Sequence, residues 1–245
     1  MKAAFGGSSP SEADMKRFLA VLAAFLMVSF MASAEDTIRV VQTACNILVY
    51  GDECQVFCCA QVHNDTNRIL GIESGTVRLL YEDTVVAEEE VERLWPYFLD
   101  PGGDGYLFQL IRFLPDAQGN PVIPAITGVI YDLNTMNVPA TMQNQMLEST
   151  LEIERTQNGG YAIVVSAKNA GEETVWDTMI TYGLYTSGGS LLYADGESFD
   201  QMGISPGSQL EKRFSINSQI VAQWENYGVE PAEFRVFAYY RSDTD

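Results

Sequence analysis

One stretch, Gly203-Ile204-Ser205-Pro206-Gly207, has the G-x-S-x-G spacing that sets a nucleophilic serine on a strand-to-helix elbow. That chemistry needs a strand before Ser205, a helix after it, and a histidine and an acid within reach. Pro206 follows Ser205 directly, and the residues beyond it (GSQLEKRFSI) alternate as a strand entering a sheet does. The one histidine, His63, lies far away in the chain. The expected structure is therefore a turn. Pro206 presets φ and Gly207 supplies positive φ, with no helix behind and no catalytic residue.

Thiols form the second group. Cys45, Cys54, Cys58 and Cys59 fall within one short segment. The expectation is one disulfide among Cys45, Cys58 and Cys59, with buried free thiols as the alternative. If NILVYGDECQVF is a hairpin with a two-residue turn at Gly51-Asp52, Cys45 stands opposite Cys58. A three-residue turn sets it opposite Cys59 instead. Cys58 and Cys59 are adjacent on a strand and point to opposite faces, so they are poor partners for each other. Zinc held with His63 is disfavoured, because Cys54, Cys58 and Cys59 lack the C-x2-C spacing and strand alternation scatters the thiols. Neither a metal nor a cofactor is expected.

Aromatic side chains form the third group. Trp95 and Tyr97 precede a Pro-Gly turn, and Trp224 and Tyr227 share the last loop, where AQWENYG reads as one helical turn or a loop. Exposed on a loop, such rings stack on sugars or anchor a protein partner. The structural reading is packing in a core or between domains. Trp176 is a further ring. Asn64-Asp65-Thr66 fits a glycosylation sequon. The chain carries no P-loop, no H-E-x-x-H and no EF-hand calcium loop.

The ends and the charge bound the function. Residues 16 to 34 give two cations, an apolar run and Ala32-Ser33-Ala34. That is the order of a secretory signal peptide, cleaved after Ala34, with translation possible from Met15. Membrane contact is expected only through this segment, if it is retained. The chain has 14 Lys plus Arg, 33 Asp plus Glu and a net charge of −19. Removing Lys2, Lys16, Arg17, Glu12 and Asp14 with the leader leaves 11 basic against 31 acidic residues, or −20. Such a field repels phosphate backbones, so no nucleic-acid partner is expected.

The elements that position these groups recur. At a spacing of 105 residues Asn64 falls on Asn169, Thr76 on Thr181, Leu79 on Leu184, and Pro101-Gly102 on Pro206-Gly207. Ser205 falls on Asp100, where no G-x-S-x-G exists but the Pro-Gly turn persists. Two homologous domains, 36–140 and 146–245, follow, with the polar NVPATMQNQMLES as a linker. Within each, short alternating strands are separated by turn signals such as QNGG and TSGGS. Strand number and domain size predict an all-β fold of two tandem immunoglobulin- or fibronectin III-like antiparallel β-sandwiches.

The second copy carries Tyr182-Gly183-Leu184-Tyr185-Thr186. The first carries Val77-Arg78-Leu79-Leu80-Tyr81, or Leu80-Tyr81-Glu82-Asp83 in the adjacent frame. Together with the strand pattern around them, these resemble the FxLYD-type extracellular domains of bacteria. Both copies depart from that motif: the leading Phe is lost and the Asp is replaced or displaced. The resemblance implies an immunoglobulin-like sandwich in a secreted or surface-exposed module without known catalysis, and it carries over no catalytic residue. The functional expectation is a secreted or cell-surface binding, adhesion or spacer module with a protein or glycan partner. The alternatives are a carbohydrate-binding protein using the loop aromatics and a small enzyme with a site between the domains.

Overall fold

The computed structural model describes residues 37–91 and 94–243. The segment read as a leader, 1–34, lies outside the described residues. Fifteen strands and one short helix make up the described chain. Among the described residues no helix is long and apolar enough to cross a membrane.

The first half holds β1 (Ile38–Tyr50), β2 (Glu53–Asn64), β3 (Leu70–Tyr81), β4 (Thr84–Glu90), β5 (Leu94–Trp95), β6 (Phe98–Leu99), β7 (Asp104–Phe113) and β8 (Gly128–Asn137). One sheet runs β1-β2-β7-β5. The other runs β4-β3-β6, with β8 also paired to β3. All pairs are antiparallel. Alternation explains their facing. Cys54, Val56, Cys58, Ala60 and Val62 lie two apart on β2 and enter one core with Val77, Leu79, Leu107 and Ile111. Burying each of the Val, Leu and Ile side chains contributes about 1.5–3 kcal/mol.

The second half holds β9 (Met142–Met146), β10 (Glu148–Arg155), β11 (Tyr161–Lys168), β12 (Thr178–Tyr185), β13 (Leu191–Phe199), β14 (Gln209–Ile216), α1 (Ser218–Asn226) and β15 (Glu233–Asp243). Its sheets run β10-β11-β14 and β13-β12-β15-β9. The segment expected to be a linker is instead largely strand. Met142–Met146 pairs with β15 from Tyr239 to Asp243, and the chain then passes into β10 on the opposite sheet. Polarity misleads there, because an edge strand keeps one side in water and tolerates Gln and Asn. The stretch around Trp224 is also more than one turn. Asn217 caps α1 by accepting a hydrogen bond from the Gln219 N–H, and Ile220, Val221 and Trp224 bury one face in the second core.

Corresponding strands pair alike in the two halves. β1-β2-β7 matches β10-β11-β14, and β4-β3-β8 matches β13-β12-β15. The ladder pair Leu70–Leu99 has its counterpart in the bridge Val175–Ile204.

Candidate functional site

The G-x-S-x-G stretch is a turn between two β segments. Ile204 bridges to Val175, Pro206-Gly207 turns, and β14 starts at Gln209. The Ser208 N–H donates to the Ser205 carbonyl at 3.0 Å, as the Gly103 N–H does to Asp100 at 2.9 Å. Gly207 has φ +73° and Gly102 φ +72°, a region that favours glycine. Gly203 instead makes room for its neighbours, since a Cβ there would sit 3.0 Å from the Trp176 ring and 2.8 Å from Thr174. Each glycine of the motif thus has a packing or backbone reason, and Ser205 is exposed on the turn.

Asn64 and Asn169 hold these turns from inside. The Asn64 amide donates to the carbonyls of Arg68 (2.7 Å) and Leu99 (2.9 Å), and its oxygen accepts from the Thr66 N–H. Asn169 donates to Glu173 (2.7 Å) and Ile204 (2.8 Å) and accepts from Gly171. Every one of these partners shifts by the same 105 residues. The backbones add to this: Gly102 N–H reaches the Asn64 carbonyl, and Gly207 N–H the Asn169 carbonyl. Both asparagines are buried, so a satisfied amide is required there.

His63 sits at the end of β2. Its Nδ1 lies 2.9 Å from Asp104 and its Nε2 3.4 Å from Asp65. Arg39 pairs with the same Asp65, and that guanidinium holds the Asp65 carboxyl below the usual carboxylate range. This half-exposed charge cluster is remote in sequence from Ser205. The described residues bring no three His, Cys, Asp or Glu side chains into a metal-holding group.

The aromatic candidates separate. Trp95 is 5% exposed and Trp224 3%, so neither presents a face to a ligand. Trp95 stacks on Phe108 at 5.2 Å. Trp224 lies 6.4 Å from both Tyr161 and Tyr193 and donates its indole N–H to Asn46 at 2.9 Å. The helix and the β sheets have absorbed these rings. Tyr97 remains exposed, Tyr227 is half-buried, and Trp176 is the most open tryptophan at 54%.

A cluster of buried aromatic and polar side chains lies between the two halves. The outer face of β1-β2-β7 packs on the outer face of β13-β12-β15 through Ala44, Cys59, Tyr106, Tyr185, Leu191 and Ala194. Phe57 stacks on Tyr193 at 4.7 Å. The Tyr106 and Tyr185 hydroxyls hydrogen-bond at 2.7 Å, and Tyr185 donates to Gln61 at 3.1 Å. Burial pushes the Tyr185 phenol up to about 12 and Tyr106 higher still, so both stay neutral. Gly183 lies under Tyr106, where a Cβ would collide with the hydroxyl. The position 105 residues earlier is Arg78, ion-paired with Asp132 and Glu88 on a half-exposed face. On the far side, Arg213 pairs with Glu154 on β14 and β10. The four sheets thus stack with apolar faces inward and charged faces at both ends.

A clasp reinforces the contact. The Ile47 N–H donates to the Gln223 side-chain oxygen (3.1 Å), and the Gln223 amide donates back to the Ile47 carbonyl. Gln219 does the same for Val49, at 2.9 and 2.8 Å. Four residues of helix rise about 6 Å, close to the ~6.8 Å that separates alternate residues of a strand. Glutamines at that spacing therefore match the outward groups of edge strand β1. Sequence reasoning missed this clasp, although an S-Q-I-V-A-Q-W pattern after Asn217 carries its signal.

No family model matches the chain, and no curated protein does. Among solved structures, a transglutaminase from red sea bream has 10% identity and a TM-score of 0.23, covering 84% of this chain and 30% of its own. A β-glucuronidase of glycoside hydrolase family 2 has 11% identity and a TM-score of 0.21, covering 78% and 24%. The chain thus spans about a third or less of either protein. At these scores neither likeness carries an argument about function.

Proposed function

We propose that this chain is an exported, non-catalytic module made by duplication of one β-sandwich, acting as a rigid binding or spacing unit at a cell surface. The observation that supports it best is the fused stack. Tyr106, Tyr185, Trp224 and both clasp glutamines are spent on joining the halves, which gives a stiff body of fixed length. Duplication is supported by the Asn64 and Asn169 networks, whose partners recur at one spacing. Export is supported by the leader pattern ending in Ala34, and the FxLYD resemblance agrees with it. Expressing the full chain and weighing the product in the medium or at the surface tests the export reading. A species beginning at Glu35 is expected, and an intact chain retained inside the cell would contradict it.

Carbohydrate binding is a second reading, favoured by one open recess that mixes polar and apolar side chains. A cavity of 680 Å³ is lined in part by Asn67, Asp100, Asn137, Gln143 and Asn144, side chains that suit sugar hydroxyls. A glycan array with wild type and Asn137→Ala tests it. Binding lost in the variant supports the reading, and no binding by wild type removes it.

A further inference from the structure

The geometry points to Cys45 and Cys58 as a disulfide site, closed by an external disulfide oxidant and fastening β1 to β2. The observation is the orientation of the edge strand. Ile47 and Val49 turn both their N–H and C=O groups away from β2, toward Gln223 and Gln219. Strand orientation repeats every two residues, so Cys45 turns its backbone the same way. Cys45 faces Cys58 directly across the two-residue turn. The pair is therefore of the non-hydrogen-bonded kind, whose Cα atoms stand about 4.5 Å apart, inside disulfide reach. The two sulfurs already lie 3.0 Å apart.

The other thiols are placed apart. Cys54 faces Val49 across the hairpin, and Cys59 faces Ala44 on the opposite side of the sheet. Cys54, Cys58 and Cys59 are fully buried, whereas Cys45 is half-exposed at the edge. Burial pushes the Cys58 thiol up, and the Cys54 thiol up to about 11. Exchange therefore enters at Cys45. Its thiolate attacks one sulfur of the external disulfide and expels one thiol. Cys58 gives up its proton and attacks the Cys45 sulfur of the mixed disulfide, expelling the second thiol. The protein loses two hydrogens, and the oxidant is reduced to two thiols. The disulfide site stands on the hairpin register and not on where the chain resides, so its failure leaves the export reading intact.

The test treats the folded, reduced full chain with oxidised glutathione, then alkylates and maps peptides. A Cys45–Cys58 linked peptide is expected, with Cys54 and Cys59 alkylated only after unfolding. Oxidation should raise Tm by roughly 5–10 °C. The rise should persist in Cys59→Ala and vanish in Cys45→Ser. Four alkylated thiols after oxidation, or a linked peptide containing Cys54 or Cys59, would overturn the assignment.

Discussion

Gln223 satisfies both outward backbone groups of Ile47, a residue far from it in the chain. An edge strand left bare invites another chain to pair with it. Here two helical side chains from the second half occupy that edge. The double variant Gln219→Ala/Gln223→Ala should lose about 2–4 kcal/mol, from four hydrogen bonds each worth about 1 kcal/mol net. It should also self-associate through β1. Denaturant titration and light scattering check the two effects, and a fully stable, monomeric variant would contradict the clasp.

Gly183→Ala should cost about 1–3 kcal/mol, because its methyl meets the Tyr106 ring in a packed contact. Gly188→Ala is the control, since the nearest atom there is 3.7 Å away. Removing the ring in Gly183→Ala/Tyr106→Leu should make the two costs non-additive. Additive costs in a double-mutant cycle would place the two residues apart.

The buried asparagines should be the costliest polar positions. Asn64→Ala and Asn169→Ala each strand several buried backbone groups, so each should lose roughly 2–4 kcal/mol. By contrast Ser205→Ala should stay within about 0.5 kcal/mol, while Gly207→Ala should cost about 1 kcal/mol through its positive φ. A large loss at Ser205 in urea unfolding would show that its side chain does more than cover a turn.

Burial raises the Asp195 carboxyl to about 6. The folded chain then binds a proton more tightly than the unfolded one, so this residue's contribution falls as pH rises between about 4 and 6. Asp195→Asn keeps the acceptor for the Gly196 N–H and removes the charge. It should gain roughly 1–3 kcal/mol at pH 7 and little at pH 4. Melting curves across that range check the sign, and an equal gain at both pH values would refute it.

Much of the fold was legible because strand alternation and turn chemistry are local. The Gly51-Asp52 turn limited Cys45 to Cys58 or Cys59, of which the hairpin takes Cys58, and the Pro-Gly turns recur where the spacing put them. For Trp95 and Trp224 the packed reading holds, but the partners that cover them were not legible. Whether a ring faces solvent depends on which outer sheet faces meet, and that depends on register across separate halves. Arg78 and Gly183 show the difficulty. They hold equivalent positions, yet one faces water and the other lies under Tyr106. The strand at Met142–Met146 was hidden for a similar reason, since its partner, β15, lies at the far end of the chain.

That the two halves form one rigid body is tested most directly by amide hydrogen exchange at Ile47 and Val49. Those amides point away from β2 and are held by the side chains of Gln223 and Gln219. Protection close to that of core strand β2 is expected, lost in Gln219→Ala/Gln223→Ala while β2 itself stays protected. Free exchange at Ile47 and Val49 in the wild-type chain would contradict the fused stack.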